Sequence, residues 1–169
     1  MNKKLTIFQV LTAAIMLMSI NFANAQQSGQ NLTFSPTFEV ATEGSHVFNL
    51  IYDLQPTLFI HENYVFLYGD NVYLIVECDA ARTDQLYEED DRFETVELIK
   101  IKLSKPEDAF SLDLSYLQSF SNLKYVQLIF EYAVCGVQPN NACLYNVASS
   151  YIHGGNMPVT VMFHFGLPG

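Results

Sequence analysis

Apolar and polar residues alternate along most of this 169-residue chain, which is the pattern of β-strands with one buried face. Hydrophobic residues make up 50% of the chain, with 13 Phe and 10 Tyr, so these strands can bury a sizeable core. We therefore predict a mainly β fold (β-rich α+β), with an antiparallel sheet or a two-sheet sandwich and one short helix packed on it. The clearest strand patterns cover residues 64–68, 72–78, 95–103, 123–130 and 158–165.

A tight turn and a proline indicate how the first strands are arranged. The Gly-Asp-Asn sequence at residues 69–71 separates two apolar runs and predicts a β-hairpin of residues 64–68 with residues 72–78. Residues 47–52 are expected to form a strand that ends before Pro56, because proline cannot donate to a ladder.

Later segments differ in how apolar their faces are. Neither face of residues 95–103 is purely apolar, which favours an edge position or a bulge. Residues 123–130 lead into a nearly continuous apolar run and predict a central strand. The polar insertion before residue 93 is expected to carry a short helix over residues 80–88.

A second helix is predicted after Asp113, whose carboxylate can accept hydrogen bonds from the amides of a first helical turn. Its apolar residues, with those that follow, resemble one unit of a leucine-rich repeat. A solenoid needs about three or more stacked units, no second copy is recognised, and Glu131 stands where the repeat has Asn or Cys. One helix packed on a sheet explains the same residues, which are Leu114, Leu117, Phe120, Leu123, Val126 and Leu128.

The first 25 residues have the layout of a secretory signal peptide. Lys3 and Lys4 precede an apolar segment that is densest over residues 10–20, and Ala23-Asn24-Ala25 ends it as a cleavage signature. Polar residues interrupt the segment, so it is too short for a spanning helix. We expect residues 1–25 to be removed, leaving 26–169 as a single β-rich globular domain that is secreted or periplasmic, with no integral membrane span after cleavage.

Acidic residues dominate the charge. The formal charge is −10 for the whole chain and becomes −12 when the two lysines of the leader are removed. A negative field of this size repels phosphate backbones. The expected partner is an unknown protein or a small neutral or cationic ligand, and no nucleic acid.

Three cysteines are present in a chain predicted to meet oxidising conditions. Cys135 and Cys143 flank a turn-rich loop that contains Gly, Pro and two Asn, so we expect them to form a disulfide. Cys78 ends an apolar run and is expected to be a free, buried thiol, with a reactive or intermolecular thiol as the alternative.

No catalytic, metal or cofactor motif is recognised. His61-Glu62 begins like a zinc-protease motif, but Val65 stands where the second histidine is required. The acidic run at residues 88–91 lacks the alternation and glycine of a calcium loop, so we expect it to be solvated. The sequence therefore predicts no cofactor and no metal site, and no catalytic residue can be named.

Tyrosines offer a candidate binding surface as a stripe on one sheet face, although core filling and cross-strand pairing explain the same residues. Two functions follow. The first is an exported non-enzymatic binding, interaction or envelope-associated module of unknown ligand. The alternative is a small secreted hydrolase whose carboxylates and a histidine, His61 or His153, converge only in the fold. The tyrosines of the stripe are Tyr64, Tyr68, Tyr73, Tyr125 and Tyr132.

Overall fold

The computed structural model describes residues 31–61, 65–69, 72–136, 140–155 and 157–166. Two sheets are formed, one of seven strands and one of two. The seven strands are β1 (Leu32–Pro36), β2 (Thr57–Ile60), β3 (Val65–Tyr68), β4 (Ile75–Asp79), β5 (Leu98–Leu103), β7 (Tyr125–Phe130) and β9 (Val159–Phe165). The small pair is β6 (Leu112–Asp113) with β8 (Ile152–His153).

Helices and tight 3-10 turns connect the strands. The α-helices are α1 (Thr37–Val40), α2 (His46–Tyr52) and α3 (Asn141–Tyr151). The 3-10 segments are Ala80–Tyr87, Asp91–Phe93, Pro106–Asp108 and Leu114–Tyr116. The fold is therefore sheet-rich α+β.

The large sheet is parallel except at one edge. Its order is β1-β9-β7-β5-β4-β2-β3, and only β3 is antiparallel, against β2. The expected antiparallel sheet is therefore wrong, and the described residues do not form a two-sheet sandwich. Alternation of apolar residues is the same in both strand directions, and the long connections with 3-10 turns leave enough chain for parallel crossovers.

The predicted hairpin is wrong for a related reason. Strand β3 folds back on β2, with Phe66 opposite Phe59, and β4 lies parallel to β2 on its other side. The reversal thus spans residues 61–64, of which 62–64 lie outside the described residues. Strand β5 pairs with both β4 and β7, so it is central rather than at an edge.

Three further segments differ from their expected secondary structure. Residues 46–52 form α2 instead of a strand, because the Ser45 hydroxyl accepts from the Phe48 amide and places Val47 and Leu50 on one buried face. The expected helix at residues 80–88 is a 3-10 segment. Asp113 does cap a helical segment, as predicted, but this is a single 3-10 turn.

Apolar side chains of neighbouring strands line up across the sheet in rows of register partners. Val76, Ile99, Val126 and Val161 are register partners, as are Cys78, Ile101, Leu128 and Phe163. These side chains lie in one core cluster with the apolar residues of the connections, so every crossover from β4 onward covers the same face. The residues that the connections contribute include Leu86, Phe93, Leu112, Leu114, Leu117, Phe120 and Leu144.

The later part of the spacing noted in the sequence analysis also occurs earlier in the chain, from Phe93 onward. Residues 93–103 and 120–130 share the same order of buried positions, beginning with Phe93 and Phe120. These two rings stack on each other, with centroids 4.4 Å apart. The earlier stretch is hard to recognise because it has no leucine at the matching positions, which are occupied by Tyr87, Asp90, Val96 and Ile101.

The opposite face of the sheet is covered by helices only in part. Helix α2 packs Val47 and Leu50 against Ile75, Leu98 and Met162 at one end. The remainder is here called the open sheet face. It carries the polar side chains of Glu77, Asp79, Lys100 and Lys102, whereas Gln127 is buried and His164 lies against Thr37 of α1.

The cysteines are arranged as the sequence predicts. Cys135 and Cys143 form a disulfide with their Cα atoms 6.0 Å apart, which ties the segment after β7 to α3. Cys78 is free and fully buried, and this burial raises the pKa of its thiol, with smaller contributions from Asp79 and Glu77. The predicted leader, residues 1–25, lies outside the described residues.

Candidate binding cavity

The described members of the predicted tyrosine stripe lie in different places. Tyr68 is exposed on edge strand β3, whereas Tyr73 is buried in the main core cluster. Tyr125 packs against the second cluster, beneath α2, and Tyr132 packs on the first. Tyr64 lies outside the described residues. The four described side chains therefore do not lie on one common surface.

A concave site is formed instead on the side of the connections. An open cavity of about 540 Å³ lies between the segment that follows β4 and the segment that follows β5. This volume is in the range of small-molecule sites. We call it the tyrosine cavity, and its lining residues are Tyr87, Glu89, Ser111, Asp113, Tyr116, Gln118 and Ser119.

Buried leucines fix the two aromatic walls. Tyr87 follows Leu86, and Tyr116 precedes Leu117, and both leucines are almost completely buried in the main cluster. The two tyrosine rings then meet edge to face, with centroids 6.3 Å apart and planes at 87°. The backbone amide of Asp113 donates to the Tyr87 hydroxyl over 2.9 Å, which holds that ring in place.

Hydrogen bonds also join the two connecting segments below the rings. The Asp90 amide donates to the Ser119 hydroxyl over 3.3 Å, and that hydroxyl donates to the Glu88 carbonyl over 3.4 Å. Asp90 is in turn held by the guanidinium of Arg92, which lowers the pKa of the Asp90 carboxyl. The cavity is therefore built between two segments whose relative position is fixed.

Asp113 is held in its ionised form. Its Oδ1 accepts from the Ser115 hydroxyl over 2.6 Å and from the Ser115 amide over 2.9 Å, and these bonds lower the pKa of the carboxyl. Gly154 has a positive φ of 72°, and a Cβ at this position would collide with Oδ1. The glycine thus permits the close approach of β8 that positions Asp113.

Glu89 and Gln118 are exposed at the cavity and lack a protein partner. Neither side chain makes a hydrogen bond or an ion pair within the described part of the chain. No lysine or arginine is among the lining residues. The cavity therefore offers two carboxylates, an amide and two aromatic rings to a ligand.

A serine and a histidine also meet at the rim. The Ser111 hydroxyl lies 3.2 Å from His153 Nε2, and β6 pairs with β8 so that Asp113 stands opposite His153. This distance is the one expected between a serine nucleophile and its general base. Within the described residues, however, the Asp113 carboxylate bonds to Ser115 rather than to the imidazole.

The other histidine named in the sequence analysis lies on the open sheet face. His61 Nδ1 is 3.2 Å from the Asp79 carboxylate, and Glu77 forms an ion pair with Lys102 at 2.5 Å. Lys100 donates to the Ile51 carbonyl at the end of α2. Most of the charged side chains on this face thus form ion pairs or hydrogen bonds with other groups of the protein.

The acidic run contributes to the cavity through one of its members. Glu88, Glu89 and Asp91 are exposed, and Asp90 is paired with Arg92. No three His, Cys, Asp or Glu side chains of the described ranges come together as a metal site. The absence of calcium binding remains a prediction.

Sequence reasoning did not identify Tyr87 and Tyr116. Each stands beside a buried leucine at the end of a connection, but only the stacking of the connections brings them together.

Within the described residues, no helix is both long enough and apolar enough to cross a bilayer. Comparison of the chain with family models, with curated proteins and with solved structures found no match.

Proposed function

We propose that the mature protein is an exported, non-enzymatic binding module whose ligand site is the tyrosine cavity. The observation that carries this proposal is the cavity itself, a concave site of about 540 Å³ whose walls belong to two rigidly joined segments. Pre-formed sites with aromatic walls and a few convergent polar groups are typical of small-ligand binding. The secreted or periplasmic location rests on the leader pattern, and the disulfide fits it.

Ligand-observed NMR against a mixed panel of sugars, organic acids, amines and short peptides tests the proposal. We expect at least one compound to bind the purified protein and to lose binding in Tyr116→Ala. Tyr52→Ala is the matched control, because Tyr52 is similarly exposed, at 61% against 63%, but lies on α2. A panel in which nothing binds, or binding that Tyr116→Ala leaves unchanged, would contradict the proposal.

A small hydrolase is the second candidate, because Ser111 and His153 are within hydrogen-bond distance at the rim of the same cavity. In such an enzyme His153 would take the hydroxyl proton of Ser111 as the oxygen attacks an acyl carbon. The missing contact between Asp113 and the imidazole favours the binding module, since a triad base is oriented by a third group.

A fluorophosphonate probe separates the two candidates by mass spectrometry. The binding module predicts no adduct at Ser111 at neutral pH. An adduct at Ser111 that disappears in His153→Gln, with the disulfide and the thermal midpoint unchanged, would establish the hydrolase instead.

A further inference from the structure

We infer that the tyrosine cavity recognises an ammonium group, so that the ligand is an organic cation. The inference rests on the proposed function, because it assigns a ligand class to the same cavity. It is carried by three observations that concern the charge of the walls, the aromatic rings and the surroundings.

The cavity walls carry two carboxylates, and none of the lining residues is a lysine or an arginine, although His153 stands opposite Asp113 and helps to lower the pKa of its carboxyl. Asp113 keeps its Oδ2 free of hydrogen bonds from the described residues, while Oδ1 is used by Ser115. Glu89 has no protein partner in this part of the chain. Ionised carboxylates at the wall of a cavity stabilise a cation there and oppose an anion.

The tyrosine rings attract a cation more strongly than they attract a neutral group of the same shape. In an edge-to-face pair, the ring that contributes its edge keeps both of its faces clear of its partner. A cation over the face of a tyrosine ring is stabilised by about 0.5–2 kcal/mol, depending on how far it is desolvated. Tyr87 is held by its hydroxyl contact with the Asp113 amide, so this wall is in position before the ligand arrives.

The arginine of the adjoining segment is occupied by another carboxylate. Arg92 lies on the adjoining 3-10 segment, but both its Nε and its Nη2 donate to the Asp90 carboxylate. The whole chain carries a formal charge of −10, which attracts cations over a longer range. Selection for a cation therefore follows from both the local walls and the overall field.

Isothermal titration of the purified protein with choline tests the inference, with 3,3-dimethylbutan-1-ol as the comparison. The two molecules have the same shape, but only choline has a charged nitrogen. We expect choline to bind about tenfold or more tightly than the neutral alcohol, which corresponds to about 1.4 kcal/mol. Equal binding of the two molecules would overturn the inference and leave a neutral ligand for the cavity.

Carboxamide variants locate the charge that is responsible. Glu89→Gln and Asp113→Asn should each weaken choline binding by about three- to tenfold, and Asn still accepts the Ser115 amide as a cap. Glu107→Gln is the control, since Glu107 is an exposed acid on the Pro106–Asp108 turn and does not line the cavity. Unchanged affinity in both cavity variants would contradict the inference.

The experiments distinguish a failure of the proposed ligand class from a failure of the proposed binding function. If a panel compound binds through Tyr116 but neither choline nor another amine does, the ligand class is wrong and the binding module stands. If no compound binds at the cavity, both proposals are wrong.

Discussion

Asp113 combines a structural role with the binding role that we propose for it. Its Oδ1 caps the Leu114–Tyr116 turn through Ser115, and its Oδ2 accepts no hydrogen bond from the described residues. The bonds to Ser115 hold the pKa of the carboxyl below its ordinary value of 3.8. The capping contact thus keeps a negative charge at the cavity under mildly acidic conditions.

This pKa gives the first prediction, a resistance of choline binding to acid. The attraction from the Asp113 carboxylate is present above its ordinary pKa and is lost only as the pH falls below that value, because only then does the proton add. In a His153→Gln background, which removes the imidazole that stands opposite Asp113, we expect Asp113→Asn to lower choline affinity by the same factor at pH 7 and at pH 5. A factor that shrinks to one between pH 7 and pH 5 would contradict the assignment.

Cys78 gives a second prediction at this scale. Burial raises the pKa of its thiol, so thiolate is absent at neutral pH and the sulfur cannot be reached. Iodoacetamide without reductant should leave the native protein unmodified and should add one group, at Cys78, after denaturation. Rapid modification of the native protein would mean that β4 opens easily.

At the scale of elements, most strand positions could be predicted, with residues 47–52 as the exception, but the strand directions could not. Residues 98–103, 125–130 and 159–165 are strands where alternation indicated them. Alternation does not encode direction, and the length of a connection does not reveal whether it folds back or crosses over. Helix α3 was missed because the Asn140 cap, which accepts from the Ala142 and Cys143 amides, lies in a loop rich in other turn residues.

The stacked connections give a prediction about stability. Phe120 is fully buried and stacks on Phe93, so it links the connection between β5 and β7 to the connection between β4 and β5. Phe120→Ala should lower the free energy of unfolding by about 3–5 kcal/mol, because it removes apolar contacts and leaves a cavity. Phe38→Ala, at a side chain that is 66% exposed, is the control and should change the free energy by less than about 1 kcal/mol in urea denaturation. Similar losses in both variants would contradict the stacking.

The candidate site shows why function is harder to predict than strands. Tyr87 and Tyr116 belong to different connections, and neither stands in a motif. Their proximity depends on the parallel stacking of β4, β5 and β7, which the alternation left open. The disulfide was predictable because its two cysteines flank one short loop.

At the scale of the whole molecule, the predicted leader determines where the cavity can meet a ligand. Protein recovered from its host is expected to begin at Gln26, since Ala23-Asn24-Ala25 is a cleavage signature. Intact-mass analysis measures this directly. Secreted material that retains residues 1–25 would contradict the predicted cleavage.

The two faces of the sheet present different chemistry to that ligand. On the open sheet face, Glu77 and Lys102 pair with each other, and Lys100 bonds to the end of α2. The cavity on the connection side instead leaves its carboxylate and amide groups available. We therefore expect the ligand to bind to the connections between the strands rather than to the open sheet face.

Mapping amide chemical shifts during a choline titration tests this central claim most directly. The account predicts saturable shifts concentrated in residues 86–90 and 111–119, with residues 59–61, 77–79 and 100–102 unaffected. Shifts concentrated on the open sheet face, or no saturable shifts at all, would contradict it.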